Sequence, residues 1–129
     1  MKVIIAGSRD IYPSVQKIQE YVDRSGFKIT ELINGKCPTG IDQRAEEWAI
    51  NMGIPVIPFP PDWEEAERKY GNRNVAGPIR NQRMADCAEA LIVIWDGISS
   101  GSASMKDLAL EQGLPIFEVT VKKKRKRSN

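Results

Sequence analysis

Apolar positions along the 129-residue chain fall into short continuous runs that alternate with stripes at helical spacing. Lys2 to Ala6 is an apolar run closed by Gly7-Ser8-Arg9-Asp10; Val15, Ile18 and Val22 then mark one face of a helix that ends near Ser25-Gly26. Lys28 to Ile33 predicts a second strand, followed by a loop from Asn34 to Gly40. Ile41, Ala45, Trp48, Ala49 and Met52 fall at i, i+4, i+7, i+8 and i+11, an amphipathic helix that Gly53 closes. Ile54 to Pro58 predicts a third strand, and Pro60-Pro61 opens a long connection. Within it, Asp62 to Tyr70 reads as an exposed charged helix and Gly71 to Ala76 as loop. Gly77-Pro78 starts a further helix to about Cys87, with proline at its first position.

The stretch from Ala90 to Pro115 organises the remainder. Leu91-Ile92-Val93-Ile94-Trp95 is continuously apolar and rich in β-branched residues, as a strand buried on both faces requires. A loop of small and hydroxyl-bearing residues, Asp96 to Ser102, follows, and Met105, Leu108 and Ala109 then recur at helical spacing until Gly113 and Pro115. Ile116 to Val121 predicts a last strand. Such alternation of strand and helix implies parallel strands joined by right-handed crossovers, with helices on both faces of the sheet. No repeat and no internal boundary interrupts it, so residues 1–121 are expected to form one domain, with 122–129 a disordered basic tail.

Composition narrows the possible chemistry. Cys37 and Cys87 are too few for a disulfide framework, and the chain has no histidine. Zinc binding and His-dependent nucleophilic catalysis are therefore not expected, and no metal is assigned. No apolar run approaches the roughly 20 residues of a membrane span. No targeting segment is expected ahead of the first strand, and a cytoplasmic location is the simplest expectation. The net charge of +2 is unevenly distributed: Lys122 to Arg127 supplies six of the 19 basic residues, leaving 13 against 17 acidic ones, a body charge of −4. A uniformly basic nucleic-acid-binding face is not indicated, although the tail could associate with nucleic acid by itself.

In open α/β sheets ligands bind beyond the carboxyl ends of the strands. Four loops leave those ends: Gly7-Ser8-Arg9, Asn34 to Asp42, Pro60 to Arg80, and Asp96 to Ser102. The first, second and fourth of these, with the start of the Pro78 helix, are expected to line one cleft. Strand, glycine-serine loop and helix together form an anion site, because the first helical N–H groups lack partners and the dipole favours negative charge. Gly101 and Ser102 are the expected phosphate contacts. Arg9 could pair with a phosphate or bridge to a carboxylate such as Asp42. Asp42 could complement the dipole of the helix begun at Gly40 or accept a hydrogen bond from a ribose or base. Arg80 shares a helical face with Met84, and in a first turn its charge would oppose the dipole unless an anion or solvent met it. Asp96 could form a turn with Gly97 or hold a ligand hydroxyl. Neither a triphosphate-binding G-x-x-x-x-G-K-[ST] run nor a G-x-G-x-x-G fingerprint is present, and no cofactor is assigned.

Taken together, Ile5-Ala6-Gly7-Ser8-Arg9, Gly35 to Asp42 with Ala45 and Trp48-Ala49, Ala76 to Met84, and Trp95-Asp96-Gly97 with Ser100-Gly101-Ser102 resemble the YspA-like branch of the SLOG superfamily. That superfamily includes DNA-processing protein A, the "lonely guy" phosphoribohydrolases, and small bacterial and phage proteins. The resemblance extends to about Val119 and is most specific in the G-P-x-R-N-x-x-M run. It implies a Rossmann-like three-layer α/β/α sandwich, a site for a nucleotide or nucleotide-derived ligand, and a tendency to homo-oligomerise. The implied ligand-binding residues are Gly7, Ser8, Arg9, Gly40, Asp42, Gly77, Arg80, Asn81, Asp96, Gly97, Ser100, Gly101 and Ser102, with Arg80 the candidate catalytic residue. Two departures bear on activity. The branch's usual Gly-Thr is Gly101-Ser102 here, which keeps the hydroxyl. The glutamate that partners arginine in the phosphoribohydrolases is missing, since Ala103, Ser104 and Met105 occupy the nearby positions. The expectation is therefore a ligand-binding sensor or ligand-handling module. Its alternatives are phosphoribohydrolysis with a relocated acid such as Asp42 or Asp96, and nucleic-acid association through the tail.

Overall fold

A computed structural model describes residues 1–122, so the basic run beyond Lys122 lies outside the described residues. The chain runs β1 (Lys2–Gly7), α1 (Val15–Ser25), β2 (Glu31–Asn34), α2 (Gly40–Met52), β3 (Val56–Pro58), α3 (Trp63–Tyr70), a 3-10 turn (Arg73–Val75), α4 (Ala76–Cys87), β4 (Ala90–Trp95), α5 (Ser100–Glu111) and β5 (Ile116–Thr120). All strand pairings are parallel, in the order β3-β2-β1-β4-β5. This is the Rossmann-like α/β sandwich expected. The middle strand is β1 rather than the more apolar β4, which lies beside it.

The period-two alternation of the strands builds two cores. Val3 and Ile5 of β1, with Ile92 and Ile94 of β4, face α1 and α2, where Ile18, Tyr21, Ile41, Ala45 and Trp48 meet them. Ile4, Leu91 and Val93 face the other way, onto Met84 and Ala85 of α4 and Met105 and Ala109 of α5. Every residue of β4 is buried, and each fully buried Leu, Ile or Val contributes about 1.5–3 kcal/mol.

Right-handed crossovers explain why the helices divide this way. The chain moves outward from β1 through β2 to β3, with α1 and α2 on one face; it then returns past β1 to β4 and β5, and reversed travel sends α4 and α5 to the opposite face. Strand order reverses between β1 and β4, so the connections leaving them diverge and open a crevice.

Four boundaries differ from the periodicity. The second strand starts at Glu31, not Lys28, because pairing with β1 opens at Lys2 opposite Glu31; Thr30 and Glu31 both donate backbone N–H to the Met1 carbonyl. The third strand is likewise shorter at its start, Val56–Pro58. The segment read as loop before Pro78 holds the 3-10 turn and the first residues of α4. Pro78 is thus the third helical residue, still in the turn whose N–H groups have no intrahelical acceptor, and Arg80 is the fifth, beyond the first turn. Finally, α5 begins at Ser100, inside the expected glycine-serine loop, because Ser99 caps it by accepting from the Ser102 backbone N–H at 3.5 Å.

Candidate ligand-binding cleft

The crevice between β1 and β4 is an open cleft of about 440 Å³. Ala6, Gly7 and Arg9 enter it from the end of β1, and Gly35, Cys37 and Asp42 from the β2–α2 loop and α2. Arg80, Asn81 and Met84 come from α4, and Ser99 to Ser102 with Met105 from the start of α5. The four regions expected to converge do so.

Gly7 is dictated by packing at the floor. A Cβ there would overlap the Ile94 carbonyl oxygen of the adjacent strand. Next to it, Ser8 is buried and fastens three elements together. Its N–H donates to the Ile94 carbonyl at 3.2 Å, its carbonyl accepts from Ile41 N–H at 3.2 Å, and its hydroxyl accepts from Asp96 N–H at 3.3 Å. Ser8 therefore supports the cleft from beneath instead of lining it. Gly40 has a supporting place as well: its φ of 67° suits glycine, and a Cβ would run into the Ser8 carbonyl.

The β2–α2 loop is shaped by Asn34, a fully buried residue. Its side-chain amide donates to the Asp42 carbonyl at 2.9 Å and its amide oxygen accepts from Lys36 N–H at 2.7 Å. Lys36 has a φ of 60°, uncommon outside glycine, and this local bond holds the turn. The loop so bent lets Cys37 N–H donate to Asp42 Oδ2 at 3.1 Å. Burial pushes the Asp42 carboxyl above its ordinary pKa of 3.8, against the opposing pull of the Cys37 N–H, Arg80 and Arg9; Glu46 adds to the rise.

Arg80 is the central cation. Its Nε donates to Asn81 Oδ1 at 2.8 Å, and its Nη1 donates to the Gly35 carbonyl. Both acceptors are neutral. No direct ion pair joins it to Asp42 among the described residues, although Asp42 raises its pKa against the lowering by burial. Arg9 is exposed at the rim and lowers the Arg80 pKa by repulsion. The expected alternative of a direct Arg9–Asp42 bridge is not formed among the described residues, and Arg9 acts on Asp42 only through longer-range attraction. Two guanidinium groups against one reluctant carboxylate give the cleft a positive bias.

On the opposite wall, Ser99 and Ser102 join through their hydroxyls at 3.3 Å, and Gly101 faces open space. The Ser100 and Gly101 N–H groups belong to the first turn, which leaves them without intrahelical acceptors. Asp96 takes the turn role: its Oδ1 accepts from the N–H groups of Ile98 and Ser99 at 2.8 and 2.9 Å.

Of the thirteen residues expected at the site, Gly7, Arg9, Asp42, Arg80, Asn81, Ser100, Gly101 and Ser102 line the cleft. Ser8 and Gly40 brace it, Asp96 and Gly97 form the turn beyond β4, and Gly77, half-buried in the first turn of α4, lies outside the lining of the cavity. Gly35, Cys37 and Met84 of the lining were visible in the motifs quoted but not assigned. Asn34 gave no signal as a shaping residue, since its role depends on contacts at both ends of its amide.

A parallel sheet with helices on both faces and a polar, positively biased cleft at its switch point defines a Rossmann-like domain of the doubly wound kind, a fold in which such crevices are where ligands bind. Residues 1–65 match the YspA, cpYpsA-related SLOG family, and the chain belongs to that family. The match takes in the β1 and β2 walls of the cleft; α4 and α5 lie beyond it. The X-ray structure of DNA processing protein A from Streptococcus pneumoniae superposes on 91% of this chain with a TM-score of 0.67 at 20% identity, a likeness of fold. The superposition takes in 49% of that protein, so this chain spans about half its length. No curated protein sequence matches the chain.

Proposed function

We propose that the cleft binds a nucleotide or nucleotide-derived ligand through its anionic group and that the protein acts as a sensor or ligand-handling module. The observation that carries this reading is Arg80, a half-buried cation in the cleft whose hydrogen-bond partners are neutral. An anion is the missing half of such an arrangement. Membership of a SLOG family supports a nucleotide-related ligand, and the first turn of α5 supplies N–H groups opposite the arginine.

Mass spectrometry of small molecules released from the purified protein identifies the ligand, and calorimetric titration with Arg80→Ala and Arg83→Ala tests the site. Loss of charge-assisted hydrogen bonds in Arg80→Ala should weaken binding about tenfold or more, whereas Arg83, exposed and outside the cleft, should leave it unchanged. Arg80 also tethers α4 to the β2–α2 loop, so its removal should lower stability by about 1–2 kcal/mol. Equal affinities in the two variants would defeat the assignment.

A second reading is phosphoribohydrolysis. What favours it is that Asp42, and not Asp96, is the carboxylate lining the cleft with Arg80. Release of free base from adenosine monophosphate, lost in Asp42→Asn, would support it; an intact nucleotide after prolonged incubation would exclude it for that substrate.

A further inference from the structure

Arginines that serve only to hold a fold together are commonly neutralised by a carboxylate at hydrogen-bond distance. Arg80 is held at two points by groups with no charge: the Asn81 side-chain oxygen on Nε and the Gly35 carbonyl on Nη1. Gly35 cannot be larger without disturbing this, since a Cβ would lie 2.8 Å from Arg80 Nη1 and 3.0 Å from Asp42 Oδ2. Both clamping groups fix the direction of the guanidinium plane, and neither cancels its charge.

We propose that Asn81 is a positioning residue, whose neutral amide oxygen orients Arg80 into the cleft while leaving its charge available to an anionic ligand. This rests on the reading of the cleft as an anion-binding nucleotide site. Asn81 itself lines the same cavity one residue along α4, so it holds Arg80 from within the site. The amide is the chemical requirement. An aspartate has nearly the same shape and would accept the same Nε–H bond, but it would also neutralise the guanidinium. An alanine would release the guanidinium without neutralising it. The two substitutions therefore separate orientation from charge, which a merely structural contact would not do.

The test uses the full chain and its Asn81→Ala and Asn81→Asp variants, with inorganic phosphate and adenosine monophosphate as probes. Nitrogen-edited NMR follows the Arg80 Nε–H, thermal unfolding reports the fold, and calorimetry reports binding. In Asn81→Ala the Nε–H should lose its protection from solvent exchange, and phosphate binding should weaken about tenfold, the loss of one charge-assisted contact's alignment. In Asn81→Asp the Nε–H should stay protected while phosphate binding falls further than in Asn81→Ala. An unchanged Nε–H signal in Asn81→Ala, or phosphate binding in Asn81→Asp equal to that of the unsubstituted protein, would overturn the proposal. If the unsubstituted protein binds phosphate but adenosine monophosphate no better, the nucleotide reading fails and the clamp stands. If it binds neither, both fail.

Discussion

Asp42 carries its charge against its surroundings. Burial raises its folded-state pKa, and the attraction of Arg80, Arg9 and the Cys37 N–H only partly offsets that rise. Below the ordinary value of 3.8 the carboxyl is protonated in both folded and unfolded chains, so its contribution to stability is then fully favourable. As pH rises the unfolded chain releases this proton first, and stability declines through the folded pKa. Asp42→Asn should remove that decline: it should melt higher than the unsubstituted protein at about pH 7 and level with it near pH 3. The same variant leaves Arg80 and Arg9 without their opposing charge, so inorganic phosphate should bind more tightly in calorimetry. Gly35→Ala should act in the reverse sense. Its Cβ would lie 2.8 Å from Arg80 Nη1 and 3.0 Å from Asp42 Oδ2, so the arginine is pushed off the Gly35 carbonyl: melting should fall by no more than in Arg80→Ala, while phosphate affinity drops.

The start of α5 allows folding and binding to be separated within one turn of helix. Ser99 caps it, and Ser99→Ala should cost about 1 kcal/mol, read as a lowered melting temperature. Gly101, two residues on, has open space where a Cβ would go. Gly101→Ala should be neutral or up to about 1 kcal/mol stabilising by helix propensity, yet should weaken phosphate binding by occupying the approach to the backbone. Elements of this kind were readable from local chemistry alone. Runs of β-branched residues, the stripe from Ile41 to Met52 and the glycine stops announced strands and helices, and the loops after them announced the cleft. What was not readable needed partners distant in sequence. The start of β2 depends on the Met1 carbonyl; the start of α5 is the exception, a local cap of Ser99 on the Ser102 N–H that the glycine-serine composition of the segment masked. Ser8 looked like a ligand contact because a buried serine and an exposed one have the same neighbours in sequence. Its three hydrogen bonds to β4, α2 and the following turn exist only once the sheet has formed.

At the scale of the molecule, charge and core are separable. The apolar residues of both cores lie between Met1 and Val121. Removing residues 122–129 would take the net charge from +2 to −4. That truncation should leave thermal unfolding and phosphate binding unchanged. Any salt-sensitive retention of nucleic acid by the full chain should disappear with it, measurable as a lost mobility shift; retention that survives would move the nucleic-acid contact onto the α/β body.

The reversal of strand order between β1 and β4 has a genetic consequence. One wall of the cleft, with Gly7, Arg9, Gly35 and Asp42, is encoded before residue 43, and the other, with Arg80, Asn81 and Ser99 to Ser102, after residue 79. A recombination joint in the connection that follows β3 would exchange one wall against the other without cutting a strand or α2. Such an exchange would have to keep the seam where Gly7 and Ser8 meet Ile94 and the contact of Arg80 with the Gly35 carbonyl, so only halves that match along β1 and β4 would fold together.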